Sequence, residues 1–598
     1  MKKLLITEKP SVAMEFAKAL KINTKRYDGY LESEEAVVTW CVGHLVTMSY
    51  PEVYDPALKR WSLETLPFLP QEWKYEVIPA VSKQFQIVKG LLNREDVETI
   101  YVCTDSGREG EYIYRLVEQM AEVKGKTRKR VWIDSQTEEE ILRGIQTAKD
   151  LSEYDNLSES AYLRAKEDYL MGINFSRVLT LKYGDNVSNY LRSTKRGAIS
   201  VGRVMTCVLG MVVRREREIR AFVKTPFYRV LAEVGIESGK FDAEWRVIEG
   251  SKYFQSPYLY KENGFKERAK AEELIAFLKE AEENEPPYRA VISSIEKKKE
   301  KKAAPLLYNL AELQNDCSRM FKLSPDETLR IVQELYEKKL VTYPRTDARV
   351  LSTAVAKVIY NNVKGLKNYQ NMSGFATEIL EKGMYKGLEK PKYVNDKQIT
   401  DHYAIIPTGQ GLSAYSSLSP VAQKVYEVIV RRFLSIFYPA AVYQKITLEM
   451  GLNKESFFAT YKTLKEEGYL KVLQYSFKKN KTDAAKKTEE MSEESESEGT
   501  KDNEEGAMSA ALQEFLLNAK KGIVIPKEKV TIKEGETSPP KRYNSGSIIL
   551  AMENAGQFIE DEELRAQIKG SGIGTSATRA EILKKLVANK YIALNKNM

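Results

Sequence analysis

The sequence contains three groups of residues whose types and spacing could do chemistry, and the first is acidic. Carboxylates follow two apolar runs of the chain, and the acidic residues there are Glu8, Asp105, Glu109 and Glu111. Grouped carboxylates bind Mg²⁺, which prefers oxygen ligands. Acidic residues are also common at the start of solvated helices, where the helix dipole favours them. Lys9 beside Glu8 favours a metal or phosphate site, because a cation next to a carboxylate can bind a phosphate.

The second group is Tyr343-Pro344-Arg345, which could attack and hold a phosphate. A tyrosine phenol has an ordinary pKa of about 10. It attacks phosphorus only when its proton is removed and the phosphate charge is neutralised. Arg345 could hold a phosphate oxygen by a bidentate contact. Because the chain has 35 tyrosines, the motif gains its meaning only from its context.

The third group surrounds His402, in the sequence Asp401-His402-Tyr403. The chain has only 2 histidines, of which the other is His44. A lone histidine is more often a structural residue than a catalyst, so this position by itself favours packing.

Strands alternating with helices are expected to position the acidic group. Residues 3–7 and 99–103 are short apolar runs typical of strands, and each is followed by a pattern typical of a helix. Pro10 suits the start of the first helix. This alternation predicts a parallel sheet, in which functional groups lie at the carboxyl ends of the strands, as Glu8 and Asp105 do here.

The rest of the chain predicts several further domains. Residues 151–220 and 305–365 favour helices, residues 223–300 alternate more like strands, and residues 409–470 mix both patterns. Residues 478–506 are charged, rich in Ser and Glu and poor in apolar residues, which predicts a solvated, disordered insert. The fold class is therefore multidomain, with α/β and α+β parts.

The composition excludes some classes of protein. The net charge is +9 over 598 residues, a mild basic excess that fits either a nucleic-acid partner or an ordinary soluble surface. The cysteines at 41, 103, 207 and 317 lack the spacing of a zinc site and predict neither structural zinc nor disulfides. No segment predicts a signal peptide or a membrane span. We therefore expect a cytoplasmic protein.

Taken together, the motifs resemble those of the bacterial type IA DNA topoisomerases, and within them the topoisomerase III branch. The resemblance spans nearly the whole chain, except for residues 471–538. The matching segments are Thr7-Glu8-Lys9-Pro10-Ser11, Gly43-His44-Leu45, Arg164-Ala165-Lys166-Glu167-Asp168-Tyr169-Leu170, Asn174-Phe175-Ser176-Arg177, Ser200-Val201-Gly202-Arg203-Val204, Val341-Thr342-Tyr343-Pro344-Arg345-Thr346-Asp347, Ala551-Met552-Glu553-Asn554-Ala555-Gly556 and Gly572-Ile573-Gly574-Thr575-Ser576-Ala577-Thr578-Arg579-Ala580.

The resemblance implies a fold in which four domains form a toroid around a hole for DNA. The expected divisions are a Toprim domain (1–150), a DNA-groove helical domain (151–222), a β-rich arch (223–300), a nucleophile domain (301–408), the second part of the arch (409–544) and the returning part of the DNA-groove domain (545–598). The family usually continues beyond the position of Met598, so the returning part is expected to be incomplete.

The resemblance also implies the chemistry. Tyr343 attacks the DNA and keeps the 5′ phosphate, and Arg345 holds the scissile phosphate. Lys9 stabilises or protonates the leaving 3′ oxygen, Glu8 assists proton transfer or metal binding, and His402 orients groups around the phosphate. The implied Mg²⁺ ligands are Glu8, Asp105 and Glu109. The implied DNA contacts are His44, Arg164, Asp168, Tyr169, Arg177, Ser200, Val201, Gly202, Arg203, Val204, Met205, Gln314, Thr575, Thr578 and Arg579.

The implied activity is relaxation or decatenation of DNA by an ATP-independent enzyme that acts as a monomer on single-stranded regions. The phosphotyrosine conserves the energy of the broken bond, so religation needs no nucleotide. Two other functions are compatible with the residues: a catalytically weak single-stranded DNA-binding factor, and a Toprim primase or nuclease. The last does not need a Tyr-Pro-Arg loop.

The sequence departs from the family pattern in two places that bear on the site. Gly107 replaces the second aspartate of the family's Asp-x-Asp-x-Glu element, so one expected metal ligand is missing unless Glu111 compensates. This substitution predicts an unusually high Mg²⁺ requirement. Met205 replaces a glutamine, and a thioether is a poor hydrogen-bond partner, which puts one DNA contact in doubt.

Overall fold

A computed structural model describes most of the chain, and its residues fall into two compact units. The described residues are 1–192, 197–236, 239–284, 289–388, 392–399, 402–477, 510–558, 562–563, 565, 572–576 and 578–595. The first unit contains Met1–Val213, Leu306–Leu434 and Tyr543–Met598, and the second contains Arg214–Pro305 and Ser435–Arg542. The expected insert at 478–506, Asp401 and Ala577 lie outside the described residues.

The N-terminal part of the first unit is built on a seven-stranded sheet with the order β2-β3-β4-β1-β7-β8-β9. Strand β1 pairs in parallel with β4 and β7, and β7 pairs in parallel with β8. The predicted parallel sheet is therefore present at its centre. The strands are β1 (Lys2–Thr7), β2 (Lys25–Tyr27), β3 (Tyr30–Glu32), β4 (Ala36–Trp40), β7 (Val97–Cys103), β8 (Thr127–Arg130) and β9 (Lys149–Asp150), and a separate pair is β5 (Val46–Met48) and β6 (Tyr75–Val77).

Helices cover both faces of this sheet. Because successive side chains of a strand point to opposite faces, Leu4 and Ile6 of β1 enter one core, while Leu5 enters the other with Val12 and Phe16. Pro10 begins the first helix, as the sequence predicts. The helices of this part are α1 (Pro10–Ala19), α2 (Pro51–Tyr54), α3 (Ser82–Leu92), α4 (Arg108–Ala121) and α5 (Glu138–Gln146).

The remainder of the first unit is helical. The helix α10 begins with a complete capping box between Ser324 and Glu327 and leads into the segment that carries Tyr343. The returning helix α15 packs on α9, and Ile549 and Met552 join a core with Met205 and Val208. The helices are α6 (Asp155–Tyr190), α7 (Arg203–Ala221), α9 (Leu310–Phe321), α10 (Pro325–Glu337), α11 (Thr353–Gly365), α12 (Ser373–Glu381), α13 (Pro420–Ser435), α15 (Ser545–Glu553) and α16 (Arg579–Ala588).

The second unit contains an eight-stranded sheet with the order β11-β16-β15-β14-β17-β10-β13-β12. Its helices are α8 (Arg268–Asn284) and α14 (Ala510–Asn518), so residues 223–300 contain a helix among the strands that the sequence predicts there. Ala271, Leu274 and Leu278 of α8 are buried at helical spacing in the core of this unit. The strands are β10 (Pro226–Ile236), β11 (Gly239–Arg246), β12 (Leu259–Lys261), β13 (Gly264–Phe265), β14 (Arg289–Lys302), β15 (Ala441–Leu452), β16 (Glu455–Glu466) and β17 (Val524–Glu536).

Over the described part of the chain, none of the helices has the length and apolar character needed to span a bilayer.

Candidate active site

The carboxyl ends of three strands of the parallel sheet carry acidic residues. Glu8 follows β1, Asp105 follows β7, and Asp134 follows β8 within a few residues. Because β1, β7 and β8 are neighbours in the sheet, these residues lie along one edge. Asp134 was missed by the sequence analysis, since β8 has the basic sequence Thr-Arg-Lys-Arg rather than an apolar run.

The Asp105 loop is tightly packed against the start of α4. Thr104 Oγ1 donates a hydrogen bond to the carbonyl of Gly110 at 2.8 Å. A Cβ on Gly110 would lie 2.0 Å from the carbonyl oxygen of Asp105, whereas a Cβ on Gly107 would have nothing within 4 Å. Gly110 is therefore required by close packing, and Gly107 is not.

The segment that carries Tyr343 is held by hydrogen bonds to the segment around Ile406. Thr342 N donates to the carbonyl of Ile406 at 3.0 Å, and Ile406 N donates to Thr342 Oγ1 at 3.0 Å. Thr346 Oγ1 donates to the carbonyl of His402 at 2.8 Å. The sequence-distant Tyr343 and His402 motifs are thus neighbours in the fold.

Tyr343 lies buried against the acidic edge of the sheet. Its hydroxyl donates to Asp105 Oδ2 at 3.2 Å, and its backbone N–H donates to the carbonyl of Asp134 at 2.8 Å. The ring contacts those of Tyr336 and His402, with centroids 5.4 Å and 4.5 Å away. The nucleophile expected from the sequence therefore meets an acceptor for its proton.

Arg345 lies on the same side as the Tyr343 hydroxyl. Its Nη1 is 3.6 Å from Asp105 Oδ2. Its Nε is buried and has no hydrogen-bond partner among the described residues. A buried guanidinium donor without a partner is costly, and a phosphate oxygen is the acceptor that its geometry fits best.

Burial and neighbouring charges shift the pKa of Tyr343 and of Glu8. Burial raises the pKa of Tyr343 well above its ordinary value and Asp105 adds to this, while Arg345 lowers it. Burial likewise raises the pKa of Glu8 to about 7, with Asp105 adding to it and Arg345 and Lys9 opposing it. Tyr343 therefore needs help to ionise, and Glu8 can exchange a proton near neutral pH.

Lys9 and His402 both have partners in this arrangement. Lys9 Nζ is 3.4 Å from Glu337 Oε1, at the end of α10. His402 Nδ1 is 2.5 Å from Asp134 Oδ1, and its Nε2 hydrogen-bonds the carbonyl of Ser106. Since both ring nitrogens are occupied, His402 acts here by joining its segment to the acidic loops.

The carboxylates suit a divalent cation in chemistry but do not converge on one point. Among the described residues no group of three acidic, His or Cys side chains is arranged to hold a metal. Glu109 Oε1 is 2.5 Å from His44 Nε2, and this hydrogen bond lowers the pKa of Glu109. Asp105 adds to the rise in the pKa of Glu8, an effect that a nearby cation would oppose, so the donor set fits a metal held by these two residues, with Glu109 joining on release from His44.

Glu111 does not compensate for the missing aspartate at position 107. Its side chain is completely buried, with Arg130 at 2.9 Å from one oxygen and Arg115 at 2.8 Å from the other. Both carboxylate oxygens are already paired with guanidinium groups inside the protein, so they are not available as metal ligands.

Several of the expected DNA contacts lie on neighbouring segments of the first unit. Val204 Cγ1 would lie 3.2 Å from a Cβ on Gly574, so the 200–204 segment and the 572–578 segment are adjacent. Thr575 and Thr578 bond each other through their hydroxyls at 3.1 Å. Ser200 and Gly202 belong to the same segment as Val204. The N–H of Val201 donates to Ser176 Oγ, and Arg203 pairs with Asp168 at 3.1 Å. Arg164 is half-buried, and its pKa is lowered by burial and by Arg108.

Other expected DNA contacts are engaged within the protein. Gln314 is buried and donates to the carbonyl of Pro325, and Met205 packs in the apolar core. Arg177 is buried, with Nη1 on the carbonyl of Leu58 and the guanidinium over Trp61. The Tyr169 hydroxyl donates to the carbonyl of Ser49 at 2.7 Å.

Arg579 is likewise internal. It is 2% exposed, and its Nη1 lies 2.9 Å from Asp347 Oδ1. Asn309 Nδ2 donates both to the carbonyl of Asp347 and to Glu553 Oε1. The 572–579 segment is therefore tied to the segment that carries Tyr343.

Comparison with known proteins assigns the chain to a family. Residues 3–135 match the Toprim domain, a metal-binding domain, and residues 152–598 match the DNA topoisomerase family. DNA topoisomerase 3 of Bacillus subtilis (strain 168) is 35% identical over 98% of this chain and 72% of its own length, and that of Bacillus licheniformis is 34% identical with the same coverage. The solved structure of full-length topoisomerase I from Thermotoga maritima has a TM-score of 0.64 at 20% identity, covers 99% of this chain and 79% of its own, and shows the same fold. The chain belongs to the type IA DNA topoisomerases and is a DNA-binding isomerase.

Proposed function

We propose that the protein cuts one DNA strand with Tyr343, passes a strand through the break and reseals it. The Tyr343 oxygen attacks the scissile phosphorus, the bond from phosphorus to the 3′ oxygen breaks, and the 5′ phosphate stays on the tyrosine. The hydrogen bond from the Tyr343 hydroxyl to Asp105 Oδ2 at 3.2 Å is the observation that carries this proposal.

The neighbouring residues then have distinct tasks. Asp105 accepts the phenol proton, and Arg345 places its unpaired Nε and its charge on the phosphate. Glu8, whose pKa is about 7, donates a proton to the leaving 3′ oxygen, and Lys9 leaves Glu337 to stabilise that oxygen. Resealing is the reverse reaction, so it needs no nucleotide.

We infer that Mg²⁺ is the metal of the Toprim domain, because the donors at the site are carboxylate oxygens. Glu8 and Asp105 would hold it, with Glu109 as a third ligand. When bound, the cation supplies positive charge beside the phosphate.

The substrate is proposed to be a single-stranded region of DNA, bound by a monomer in the cytoplasm. Residues 151–222 and 545–598 are proposed to form the DNA groove, supported by the adjacency of the 200–204 and 572–578 segments. We also propose a Toprim domain (1–150), a nucleophile domain (301–408) and an arch in two parts (223–300 and 409–544).

Trapping the covalent intermediate tests the proposal. A single-stranded oligonucleotide labelled on the 3′ side of the cut is incubated with the protein and Mg²⁺, and the mixture is denatured. Wild type should retain label on the protein, and Tyr343→Phe should retain none. Tyr336→Phe is the matched control, since Tyr336 is a buried tyrosine whose ring contacts Tyr343 and which has no part in the proposed reaction. Failure of the wild type to retain label over a wide range of Mg²⁺ would refute the proposal.

A further inference from the structure

Two charged residues inside the N-terminal part, Arg130 and Glu111, lie beside the proposed site but have no part in the reaction outlined above. Both side chains are completely buried, and Arg130 Nε donates to Glu111 Oε2 at 2.9 Å. Desolvation of such a pair costs about as much as the attraction returns. Stability alone is therefore a poor reason for its presence.

The remaining donors of Arg130 all bond backbone carbonyls around the end of β7. Nη1 donates to the carbonyls of Val102, Thr104 and Val131 at 3.1, 2.8 and 3.1 Å. Nη2 donates to the carbonyl of Asp105 at 2.7 Å. Because the guanidinium is planar and its donors are held in a fixed fork, these bonds set the position of the Asp105 backbone.

The position of the Asp105 backbone determines where its carboxylate meets Tyr343. The hydrogen bond between them is 3.2 Å long, and Arg345 is 3.6 Å from the same oxygen. A misplacement of about 1 Å at a reacting group can cost about 100-fold in rate. Small shifts of residues 104–105 therefore matter to the chemistry more than to the fold.

We infer that Arg130, with its charge neutralised by Glu111, is a positioning residue that aims the Asp105 carboxylate at the Tyr343 hydroxyl. This inference rests on the proposed function, which gives Asp105 its task. Glu111, which the motif alone would offer as a spare metal ligand, instead pairs with Arg130 within the protein interior.

Arg115 offers a matched control on the same carboxylate. It pairs with the other oxygen of Glu111 at 2.8 Å, but its remaining bonds go to Asp155 and to the carbonyl of Leu151. Arg115→Met therefore removes an ion pair of Glu111 without touching the Asp105 backbone.

The test compares three proteins: wild type, Arg115→Met and the double variant Arg130→Met with Glu111→Leu. Replacing both members of a buried ion pair by apolar residues is often neutral for stability, so the double variant should keep the Tm and the oligonucleotide Kd of the wild type. Its rate of adduct formation in a single turnover should fall about 10- to 100-fold. Arg115→Met should form the adduct at close to the wild-type rate.

The inference is overturned if the folded double variant forms adduct at the wild-type rate, or if Arg115→Met slows it equally. If the double variant does not fold, Arg130→Lys replaces it, because an ammonium keeps the charge beside Glu111 but cannot span the carbonyls of Val102, Thr104 and Asp105. The same loss of rate is expected there, and a wild-type rate would overturn the inference. A wild type that forms no adduct contradicts the proposed function instead.

Discussion

Two clusters of charged and polar residues contact the segment that carries Tyr343. The front cluster comprises Glu8, Asp105, Tyr343 and Arg345. The back cluster comprises Asn309, Asp347, Glu553 and Arg579. Each contains a glutamate whose pKa is raised to about 7, in both cases chiefly by burial.

The two clusters differ in whether their buried hydrogen-bond donors have partners. In the back cluster Glu553 accepts from Asn309, and Arg579 pairs with Asp347 and also bonds the carbonyls of Ile573 and Gly574. In the front cluster Arg345 Nε is buried with no partner among the described residues. A perturbed pKa therefore does not by itself mark a catalytic site, whereas a perturbed pKa beside an unsatisfied donor and a nucleophile does.

The largest expected effect separates two arginines of the same segment. Arg345→Lys removes the forked donors aimed at the phosphate, so the rate of adduct formation should fall about 100- to 1,000-fold. Arg349→Lys alters the ion pair with Glu312 and the hydrogen bond to the carbonyl of Leu307. It should leave that rate within about threefold, because neither contact involves the front cluster. Rapid-quench assays on a labelled oligonucleotide measure the rate of adduct formation in both variants. Equal losses of rate would contradict a catalytic role for the front cluster.

The second prediction concerns packing beneath Asp105. Gly110→Ala places a Cβ 2.0 Å from the Asp105 carbonyl, so the loop must move and adduct formation should slow about 10-fold or more. Gly107→Ala adds a methyl group in open space and should be neutral. Measuring the Tm beside the rate separates loss of fold from loss of alignment, and a full rate in Gly110→Ala would show that the loop tolerates displacement.

The third prediction tests the back cluster through stability. The pKa of Glu553 is about 7 in the folded protein and 4.5 as its ordinary value, so the folded state binds this proton more tightly than the unfolded state. The free energy of unfolding should fall as pH rises from 4.5 to 7 and stay low above it. Glu553→Gln removes this penalty, and should gain about 1–3 kcal/mol at pH ~8 and nothing at the acid end.

Urea unfolding at several pH values measures this difference. The adduct rate of folded Glu553→Gln should match that of the wild type. In the wild type, a plot of cleavage rate against pH should bend near pH 7, because the pKa of Glu8 is raised to about 7. Glu8→Gln should lose this bend. A rate loss in Glu553→Gln equal to that in Glu8→Gln would remove the functional distinction between the clusters.

The smallest expected effect concerns the missing aspartate. The φ of Gly107 is 165°, extended backbone that any residue adopts, and its Cβ position is open. Gly107→Asp should therefore fold normally and lower the Mg²⁺ concentration for half-maximal relaxation several-fold, because it adds a carboxylate. Titration of relaxation with Mg²⁺ checks this, and an unchanged or higher requirement would show that position 107 does not face the metal.

The sequence predicted the elements that follow local rules and missed those that depend on distant partners. The strands before Glu8 and Asp105 were predicted from their apolar runs, and Pro10 from its place at a helix start. Asp134 was missed because β8 is basic along its length. The sequence does not predict α8, because long charged side chains surround its few buried apolar residues.

The site was harder to predict where burial decides the role. Nothing in the motif around Glu111, in α4, shows that Arg130, at the end of β8, occupies one of its oxygens. Gln314 and Arg579 carry the polar groups of DNA-contacting residues, yet the fold turns them inward, onto Pro325 and Asp347. Local spacing records which residues are present, whereas burial depends on how different elements pack together, and their separation along the chain ranges from tens of positions to hundreds.

Asp134 has a further consequence for how the site can come apart. Its carbonyl holds the Tyr343 backbone, and its carboxylate holds His402. Because one residue anchors both segments, withdrawing the nucleophile from the sheet edge breaks the two bonds together, and a half-withdrawn state keeps neither good geometry. The arrangement favours two discrete positions over a continuous range. On the proposed function, a strand end attached to Tyr343 would be either seated for resealing or fully removed from it.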